Sequence, residues 1–111
     1  PFNASDLNID EQYVVVGTSE FTFAPFLFAE MLQKSGYDVL FESTGRSPIL
    51  QGGGILNKLK FYDPIHKADY YLYNLPINRK PIIMYETIQQ FEMCPLHKLL
   101  NCKAAILGES Q

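Results

Sequence analysis

Apolar residues change their spacing along the first half of the chain, and this change predicts a strand, a helix and a second strand. The β-branched run at residues 13–16 is typical of a strand that is buried on both faces. Residues 22–32 are almost wholly apolar and predict a buried helix, which Thr22 would cap and Gly36 would end. Residues 37–42 predict the second strand. Such a crossover is right-handed and makes its strands parallel, so the loops after both strands open at one edge of the sheet.

The second half of the chain has shorter apolar runs. Glycines at residues 52–54 interrupt an apolar stretch and predict a flexible loop. Residues 70–73 and 81–85 each predict a strand. The short link at residues 78–80 allows a hairpin between these two strands, and an α/β sheet with one antiparallel pair is equally ordinary. Residues 88–100 have the spacing of a helix.

Together these elements predict the α/β class and a single three-layer Rossmann-like domain with a mostly parallel sheet. Residues 104–107 add a further edge strand to this expectation. The 111 residues, of which 47% are hydrophobic, are typical of one compact domain. We expect this domain to span residues 13–111, after a polar linker or lead-in at residues 1–12. The proline at position 1 suggests a domain cut from a longer chain.

Charge and cysteine content narrow the range of partners. The net charge of −3, from 9 basic and 12 acidic residues, argues against a surface that binds the phosphate backbone of nucleic acid. Two cysteines and no signal-peptide pattern favour the cytoplasm. The apolar runs are also shorter than the roughly 18 to 20 residues that cross a bilayer, so we expect no membrane segment.

Several short motifs occur in a fixed order over roughly residues 13–88. The motifs are Gly17-Thr18-Ser19-Glu20-Phe21, Ala29-Glu30, Ser43-Thr44-Gly45-Arg46-Ser47-Pro48, Tyr73-Asn74 and Glu86-Thr87. In this order they resemble the TRSP domain, which lies C-terminal to a phosphoribosyltransferase-like domain in proteins of bacterial tellurite-resistance gene clusters. Gly45 stands where a second hydroxylic residue is expected. The resemblance implies a role in the metabolism of a nucleoside-like compound, with the transferase chemistry in the neighbouring domain.

The loops after the two predicted parallel strands carry residues that suit an anion. Backbone amides at a helix start carry partial positive charge, and the planar guanidinium of Arg46 matches a phosphate or a carboxylate. The alternative is that Arg46 pairs with Glu20 or Glu42 and only holds the loops together. The predicted ligands of the anion are Gly17, Thr18, Ser19, Glu20, Thr44, Arg46 and Ser47.

Acidic residues form a second candidate set. Glu20, Asp63 and Glu86 meet at the same edge if the strand ending at Tyr85 belongs to the parallel sheet. Carboxylates there would orient ribose hydroxyls, with Glu86 as the main candidate, hold Mg²⁺ together with a ligand phosphate, or act as acid and base. The alternative is that Glu20 and Glu86 are favourable charges near helix N-termini.

Aromatic residues cluster around the predicted strand at residues 70–73. Alternating aromatic residues are typical of core and cross-strand packing, although they also stack bases or form interfaces. Both faces of this strand carry tyrosine, so at least one face is expected to border water, a ligand or another domain. Asn74 at its end would contact a ligand edge or cap a turn.

Cys94, His97 and Cys102 are residue types that bind zinc, but their spacing lacks the second ligand pair of a structural zinc site. We therefore predict buried thiols, a histidine at the solvent edge and no metal site. The functional expectation is an accessory domain that binds a phosphorylated or nucleotide-like metabolite and is not catalytic alone. The alternative is a non-catalytic module for contact with another domain or for homo-oligomer formation.

Overall fold

The computed structural model describes residues 6–46, 57–102 and 104–106. The expected strand, helix and strand of the first half are present, and short elements follow them. In chain order the elements are β1 Gln12–Gly17, α1 Phe23–Lys34, β2 Asp38–Ser43, β3 Lys58–Asp63, β4 Ala68–Tyr73, β5 Lys80–Tyr85, α2 Ile88–Met93, α3 Leu96–Leu99 and β6 Ala104–Ile106. The glycine loop at residues 52–54 lies outside the described residues. None of the described helices is long and apolar enough to cross a membrane.

Four strands form a parallel sheet in the order β2-β1-β5-β6. Tyr13 is opposite Val39 of β2, and Val15 is opposite Ile82 of β5, so β1 lies in the interior of the sheet. The α/β class, the parallel crossover and the edge strand β6 are thereby confirmed.

The apolar run in β1 supplies both cores because successive strand side chains point to opposite faces. Val14 and Val16 belong to a cluster formed with β3, β4 and the short C-terminal helices. Tyr13 and Val15 belong to a second cluster formed with Ala29 and other residues of α1. Burial on both faces is what the continuous β-branched pattern predicted.

The helix α1 is buried on one side only, which corrects the expectation of a buried helix. Its buried residues are Pro25, Ala29 and Leu32, whereas Phe23 is 72% exposed and Met31 is 52% exposed. The prediction was wrong because apolar residues occur on all sides of the helix, while the sheet covers only one of its faces.

The structure confirms part of the prediction for the two ends of α1. Thr22 precedes the helix as expected, but its side chain makes no capping hydrogen bond, so this detail of the prediction is wrong. Gly36 has φ of +98°, and its amide donates to the Gln33 carbonyl. Glycine adopts this left-handed conformation without the steric cost of a Cβ atom, and it ends the helix as predicted.

The second face of the parallel sheet is covered by a β-hairpin together with α2 and α3. β3 and β4 are antiparallel, with Phe61 opposite Tyr70. The short link at residues 78–80 therefore joins two different sheets and is not a hairpin turn. Because a hairpin lies on this face, the narrower expectation of a three-layer Rossmann-like domain is not confirmed.

The expected helix at residues 88–100 is divided into α2 and α3. Cys94 is extended, with φ of −84° and ψ of 134°, because a residue before proline is sterically disfavoured in the helical region. Pro95 then precedes α3. The break allows the chain to turn back against the hairpin side of the sheet.

Gly17 ends β1 where the backbone passes very close to the following loop. A Cβ atom at Gly17 would lie 2.9 Å from the Phe21 carbonyl oxygen. We expect Gly17→Ala to lower the free energy of unfolding by about 1–3 kcal/mol, since overpacking forces the backbone to shift. Urea unfolding measures this change.

Gly45→Ala is the matched control for this substitution. A Cβ atom at Gly45 would meet no heavy atom within 4 Å, and the free energy of unfolding should change by no more than about 0.5 kcal/mol. Equal effects at Gly17 and Gly45 would contradict the close approach at the end of β1.

Candidate functional site

The carboxyl ends of three parallel strands meet at one edge, as the sequence predicted. Gly17 at the end of β1 is opposite Ser43 of β2 and Met84 of β5. The hairpin brings its turn at residues 64–67 to the same edge, because Asp63 before this turn contacts Ser19 after β1. The edge therefore combines loops of the parallel sheet with a turn of the second layer.

Asp63 is the most connected side chain at this edge, and it is fully buried. Its carboxylate accepts hydrogen bonds from the Ser19 hydroxyl and from the amide of Ile65 at 2.8 Å. The His66 amide lies at 3.3 Å and His66 Nδ1 at 2.9 Å. Gln90 Nε2 of α2 lies at 3.4 Å. The loop after β1, the hairpin turn and α2 are thus joined at one carboxylate.

Two opposed effects act on the charge of Asp63. Burial raises the pKa of a carboxyl group, because the charged form loses its hydration. Hydrogen bonds from Ser19, from the His66 side chain and from the amides of Ile65 and His66 favour the charged form, and together they lower the pKa of Asp63 below its ordinary value. Asp63 is therefore a buried carboxylate at neutral pH.

Several predicted anion ligands make hydrogen bonds inside the protein. The Thr18 hydroxyl donates to the Met84 carbonyl at 2.7 Å, and the Ser19 amide donates to Thr44 Oγ1 at 2.8 Å. All three of Thr18, Ser19 and Thr44 are buried. These contacts join the loop after β1 to the loop after β2 and to the strand β5. Ser47 lies outside the described residues, and the anion-binding role of the set stays a prediction.

Gly45 attaches the loop after β2 to the hairpin. Its amide donates to the Tyr71 carbonyl at 2.9 Å, and the Tyr71 amide donates to the Gly45 carbonyl at 2.7 Å. Gly45, which stands where the family resemblance predicts a hydroxylic residue, thus contributes through its backbone. A side chain at this position would extend into open space.

The buried Tyr70 side chain reaches the exposed Glu20 at the rim of this edge. This hydroxyl donates to Glu20 Oε2 at 2.8 Å. Burial, and then the hydrogen bond with Glu20, raises the pKa of Tyr70 to about 12, whereas the positive charge of Arg46 acts in the opposite direction. Glu20 is therefore held at the exposed rim by this hydroxyl, and the charge of Arg46 acts on the same group.

Arg46 is exposed, and it makes no hydrogen bond or ion pair with another described residue. The alternative in which Arg46 pairs with Glu20 or Glu42 finds no support among the described residues. Glu42 is half-buried, and burial raises its pKa.

Glu86 borders the carboxyl edge of the parallel sheet, whereas Asn74 does not. Glu86 is exposed directly after β5, and its amide donates to Gln90 Oε1 at 2.9 Å, so it borders the same edge. Asn74 lies at the opposite end of the hairpin from Asp63, where its amide donates to the Asn57 carbonyl at 2.9 Å. The structure therefore does not bring Asn74 together with the other predicted residues.

Cys94 and His97 lie in the core beside the hairpin and not at the edge. His97 Nδ1 is 2.9 Å from the Tyr85 hydroxyl, and its ring stacks on Phe91 with centroids 4.7 Å apart. Burial raises the pKa of both thiols, to about 11 for Cys102. Cys94 is buried as predicted, whereas Cys102 is only half-buried. The expectation of a histidine at the solvent edge is wrong, because His97 is buried.

The aromatic cluster divides between core and surface. Phe61 and Tyr70 stack within the core, with centroids 6.0 Å apart. Tyr71 and Tyr73 are half-buried and stack on each other at 6.1 Å. Tyr62 is 51% exposed. The tyrosines of β4 therefore occupy both faces, as the pattern predicted.

Sequence reasoning missed His66 and Gln90 as members of the site. For Gln90 a signal was present, since Thr87 and Gln90 have the spacing of a capping box. The Gln90 amide indeed donates to Thr87 Oγ1 at 3.1 Å. His66 follows Asp63 by three residues in a turn, but that spacing is ordinary and predicts no particular contact.

The fold and this edge define an α/β domain whose loops are joined by buried polar contacts and whose rim carries exposed charged groups. A family model described as "TRSP domain C terminus to PRTase_2" matches residues 3–100. The chain belongs to this family, which confirms the resemblance seen in its motifs and associates it with a preceding phosphoribosyltransferase domain. No curated protein and no solved structure gives a significant match.

Replacing Asp63 tests its role as the buried junction. We expect Asp63→Asn to lower the free energy of unfolding at pH 7 by about 1.5–3 kcal/mol, the range for hydrogen bonds to a charged group. A carboxyl group with a lowered folded pKa stabilises the protein above its unfolded pKa, and that stability is lost as pH falls through the folded pKa. Urea unfolding across acidic pH should therefore show a smaller acid-dependent loss in the variant.

Asp69→Asn provides the control, because it makes the same change of charge on a 47% exposed side chain of the hairpin. Its free energy of unfolding should stay within about 0.5 kcal/mol of the wild type. If both variants have the wild-type acid profile, Asp63 does not stabilise the fold through its charge.

Proposed function

We propose that this domain binds a phosphorylated or nucleotide-like metabolite at the carboxyl edge of its parallel sheet, as the accessory domain of a phosphoribosyltransferase-like protein. Membership of a family described as C-terminal to a phosphoribosyltransferase domain supports the accessory role. The observation that carries the proposal is the exposed guanidinium of Arg46, which has no carboxylate partner among the described residues.

Arg46 is held by a well-anchored loop. The Thr44 amide donates to the Gly17 carbonyl at 3.1 Å, and Gly45 is paired with Tyr71 by two backbone hydrogen bonds. The Thr44 side chain accepts a further hydrogen bond from the Ser19 amide. A loop that is ordered before binding loses less conformational entropy when the ligand arrives, which favours affinity.

The charges at the rim favour an organic phosphate over a bare one. Glu20 and Glu86 are exposed carboxylates at the same edge as Arg46, and they repel an isolated anion. The hydroxyl groups of a sugar phosphate donate hydrogen bonds to such carboxylates. Alternatively, the ligand binds together with Mg²⁺, which carboxylate and phosphate oxygens coordinate jointly. We therefore propose a ligand with a phosphoryl group and a hydroxylated part, and we assign no catalytic step to this domain alone.

Arg46→Ala tests the proposal directly. Wild-type protein should bind at least one of ribose 5-phosphate, phosphoribosyl diphosphate or a nucleoside monophosphate, with or without Mg²⁺, as measured by calorimetry. The variant should bind about 10 to 100-fold more weakly, since a hydrogen bond to a charged group contributes about 1.5–3 kcal/mol. Arg46→Lys should have intermediate affinity, because lysine keeps the charge but lacks the planar fork.

Lys60→Ala is the charge-matched control on the hairpin surface, where Lys60 faces Asp69 at 3.7 Å. Its affinity should equal that of the wild type, and all variants should unfold at similar temperatures without ligand. Undiminished affinity in Arg46→Ala would remove Arg46 from the site and with it the main support for the proposal.

A second candidate function is contact with the preceding phosphoribosyltransferase-like domain through the outer face of α1. Four apolar residues of this helix are exposed: Phe23 by 72%, Phe26 by 45%, Leu27 by 44% and Met31 by 52%. Contiguous exposed apolar side chains are typical of protein interfaces.

The path of the chain supports this partner. Leu7 packs against the core cluster between α1 and the sheet. The Ile9 side chain lies 3.6 Å from the Cβ position of Gly36, directly after α1. The segment that precedes β1 thus lies on the same side of the sheet as α1 and passes the C-terminal end of this helix.

Charged substitutions on α1 test the second candidate. The 111-residue chain should self-associate at high concentration in sedimentation velocity, because its apolar face is uncovered. The double substitution of Leu27→Glu and Met31→Glu should restore a monomer without lowering the unfolding temperature. Ile77→Glu is the control, since Ile77 is 97% exposed but belongs to the link between β4 and β5 and not to α1. A strictly monomeric wild type would count against the interface.

A further inference from the structure

The outer face of the β-hairpin carries aromatic and basic side chains. Successive side chains of a strand point to opposite faces, and Phe61, Tyr70 and Leu72 point inward to the core beside the parallel sheet. The alternate residues of β3 and β4 therefore form the outer face: Lys58, Lys60, Tyr62, Asp69, Tyr71 and Tyr73. With two lysines against one aspartate, this face is basic in a chain whose net charge is −3.

Two tyrosines on this outer face form a stacked pair. The ring centroids of Tyr71 and Tyr73 are 6.1 Å apart, and the rings are nearly parallel, at 12°. Lys58 Nζ lies 5.8 Å from the centroid of the Tyr71 ring. Both tyrosines are half-buried, so each ring is held by its neighbours while part of its surface faces solvent. Ordered aromatic rings beside cationic side chains are the combination on which nucleobases stack.

Gly45 leaves open space beside Tyr71. The two residues are opposite each other in an antiparallel bridge, which two backbone hydrogen bonds of 2.9 Å and 2.7 Å hold together. Residues directly opposite each other in such a bridge have their side chains on the same face. A Cβ atom at Gly45 would therefore lie on the side of Tyr71, and it would meet no heavy atom within 4 Å. The position at which the family resemblance predicts a hydroxylic side chain is thus open in this chain.

The same bridge places Arg46 close to Tyr71. Opposite Cα atoms of a hydrogen-bonded pair are about 5.5 Å apart, and consecutive Cα atoms about 3.8 Å, so the Cα atoms of Arg46 and Tyr71 are no more than about 9 Å apart. The charge of Arg46 also acts on the hydroxyl of Tyr70, which precedes Tyr71 in β4. An anion anchor and an aromatic platform therefore adjoin each other, at a separation that suits the two ends of one small ligand.

We propose that the ligand of this edge is a nucleotide whose base stacks on Tyr71, in the space left by Gly45, while its phosphoryl group binds Arg46. The inference rests on the proposed function and specifies the substrate class, because it adds a planar base to the phosphoryl group and the hydroxylated part. Every base has a π face, so stacking on an aromatic side chain tolerates different bases. The platform therefore selects a ligand that carries a base over one that carries only a sugar.

Calorimetry with the 111-residue chain tests the inference by comparing ribose 5-phosphate with the 5′-monophosphates of adenosine, guanosine, cytidine and uridine, with and without Mg²⁺. All five probes contain a phosphoryl group and a ribose, so the difference in affinity measures the contribution of the base. The wild type should bind at least one nucleotide about 10-fold or more tightly than ribose 5-phosphate, which is the effect of stacking one base on an aromatic ring.

Substitutions of Tyr71 identify the platform. Tyr71→Leu should remove the preference for nucleotides, since leucine is apolar but has no π face. Tyr71→Phe is the matched control, and it should keep the preference because it retains the ring. Both variants should unfold at similar temperatures without ligand.

Gly45→Leu tests the open space independently, and it serves if Tyr71→Leu fails to fold. A larger side chain at Gly45 would fill the space beside Tyr71, so this variant should also lose the preference for nucleotides. Gly45→Ala adds only the Cβ atom, which has no neighbour within 4 Å, and it should lose less of the preference than Gly45→Leu.

The outcomes separate the inference from the proposed function. Binding that depends on Arg46 but is no tighter for any nucleotide than for ribose 5-phosphate overturns the inference and leaves the proposed function standing. Equal losses in Tyr71→Leu and Tyr71→Phe also overturn the inference, because the contact then belongs to the hydroxyl and not to the ring. Nucleotide binding that depends on Tyr71 but not on Arg46 supports the base platform and removes the proposed phosphate anchor. If none of the five probes binds, the inference fails, whereas binding of phosphoribosyl diphosphate alone would still support the proposed function.

Discussion

The architecture of the candidate site depends on one buried carboxylate. Asp63 receives hydrogen bonds from Ser19, from the turn that contains His66 and from Gln90 of α2. These partners belong to the loop after β1, to the hairpin and to the helix after β5, which are three separate segments of the chain. A buried charge without such partners would be strongly destabilising, so the carboxylate and its donors stabilise one arrangement of the three segments.

This arrangement determines which groups remain available to a ligand. The side chains closest to the ends of the strands, such as Thr18 and Thr44, are occupied by hydrogen bonds that hold the loops together. Arg46 and Glu20 are exposed at this edge, and Glu20 accepts a hydrogen bond from Tyr70. The edge is therefore a rigid inner scaffold that presents a small number of charged groups, an arrangement suited to recognition of a ligand by charge.

The parallel sheet separates two surfaces with different properties. On one side the hairpin and short helices cover the sheet and bring Asp63 and His66 to its edge. On the other side α1 covers the sheet but leaves Phe23 and Met31 exposed. The apolar face of α1 begins at Phe23, directly after the loop that carries Glu20, so it adjoins the carboxyl edge of the sheet.

The sequence by itself determined the local elements. The parallel crossover was predicted from the run at residues 13–16, the apolar stretch of α1 and the glycine at its end, because periodicity and turn chemistry are local properties. The family was predicted from the order of its short motifs. Only the tertiary structure decided that the hairpin lies on the sheet, which face of α1 is buried, and that His66 and Gln90 join the site. The contacts of Ser19 with Asp63 and of Thr18 with Gln90 span 44 and 72 positions in the chain. No local pattern encodes such contacts, since they arise only when separate elements pack together and their buried polar groups must find partners.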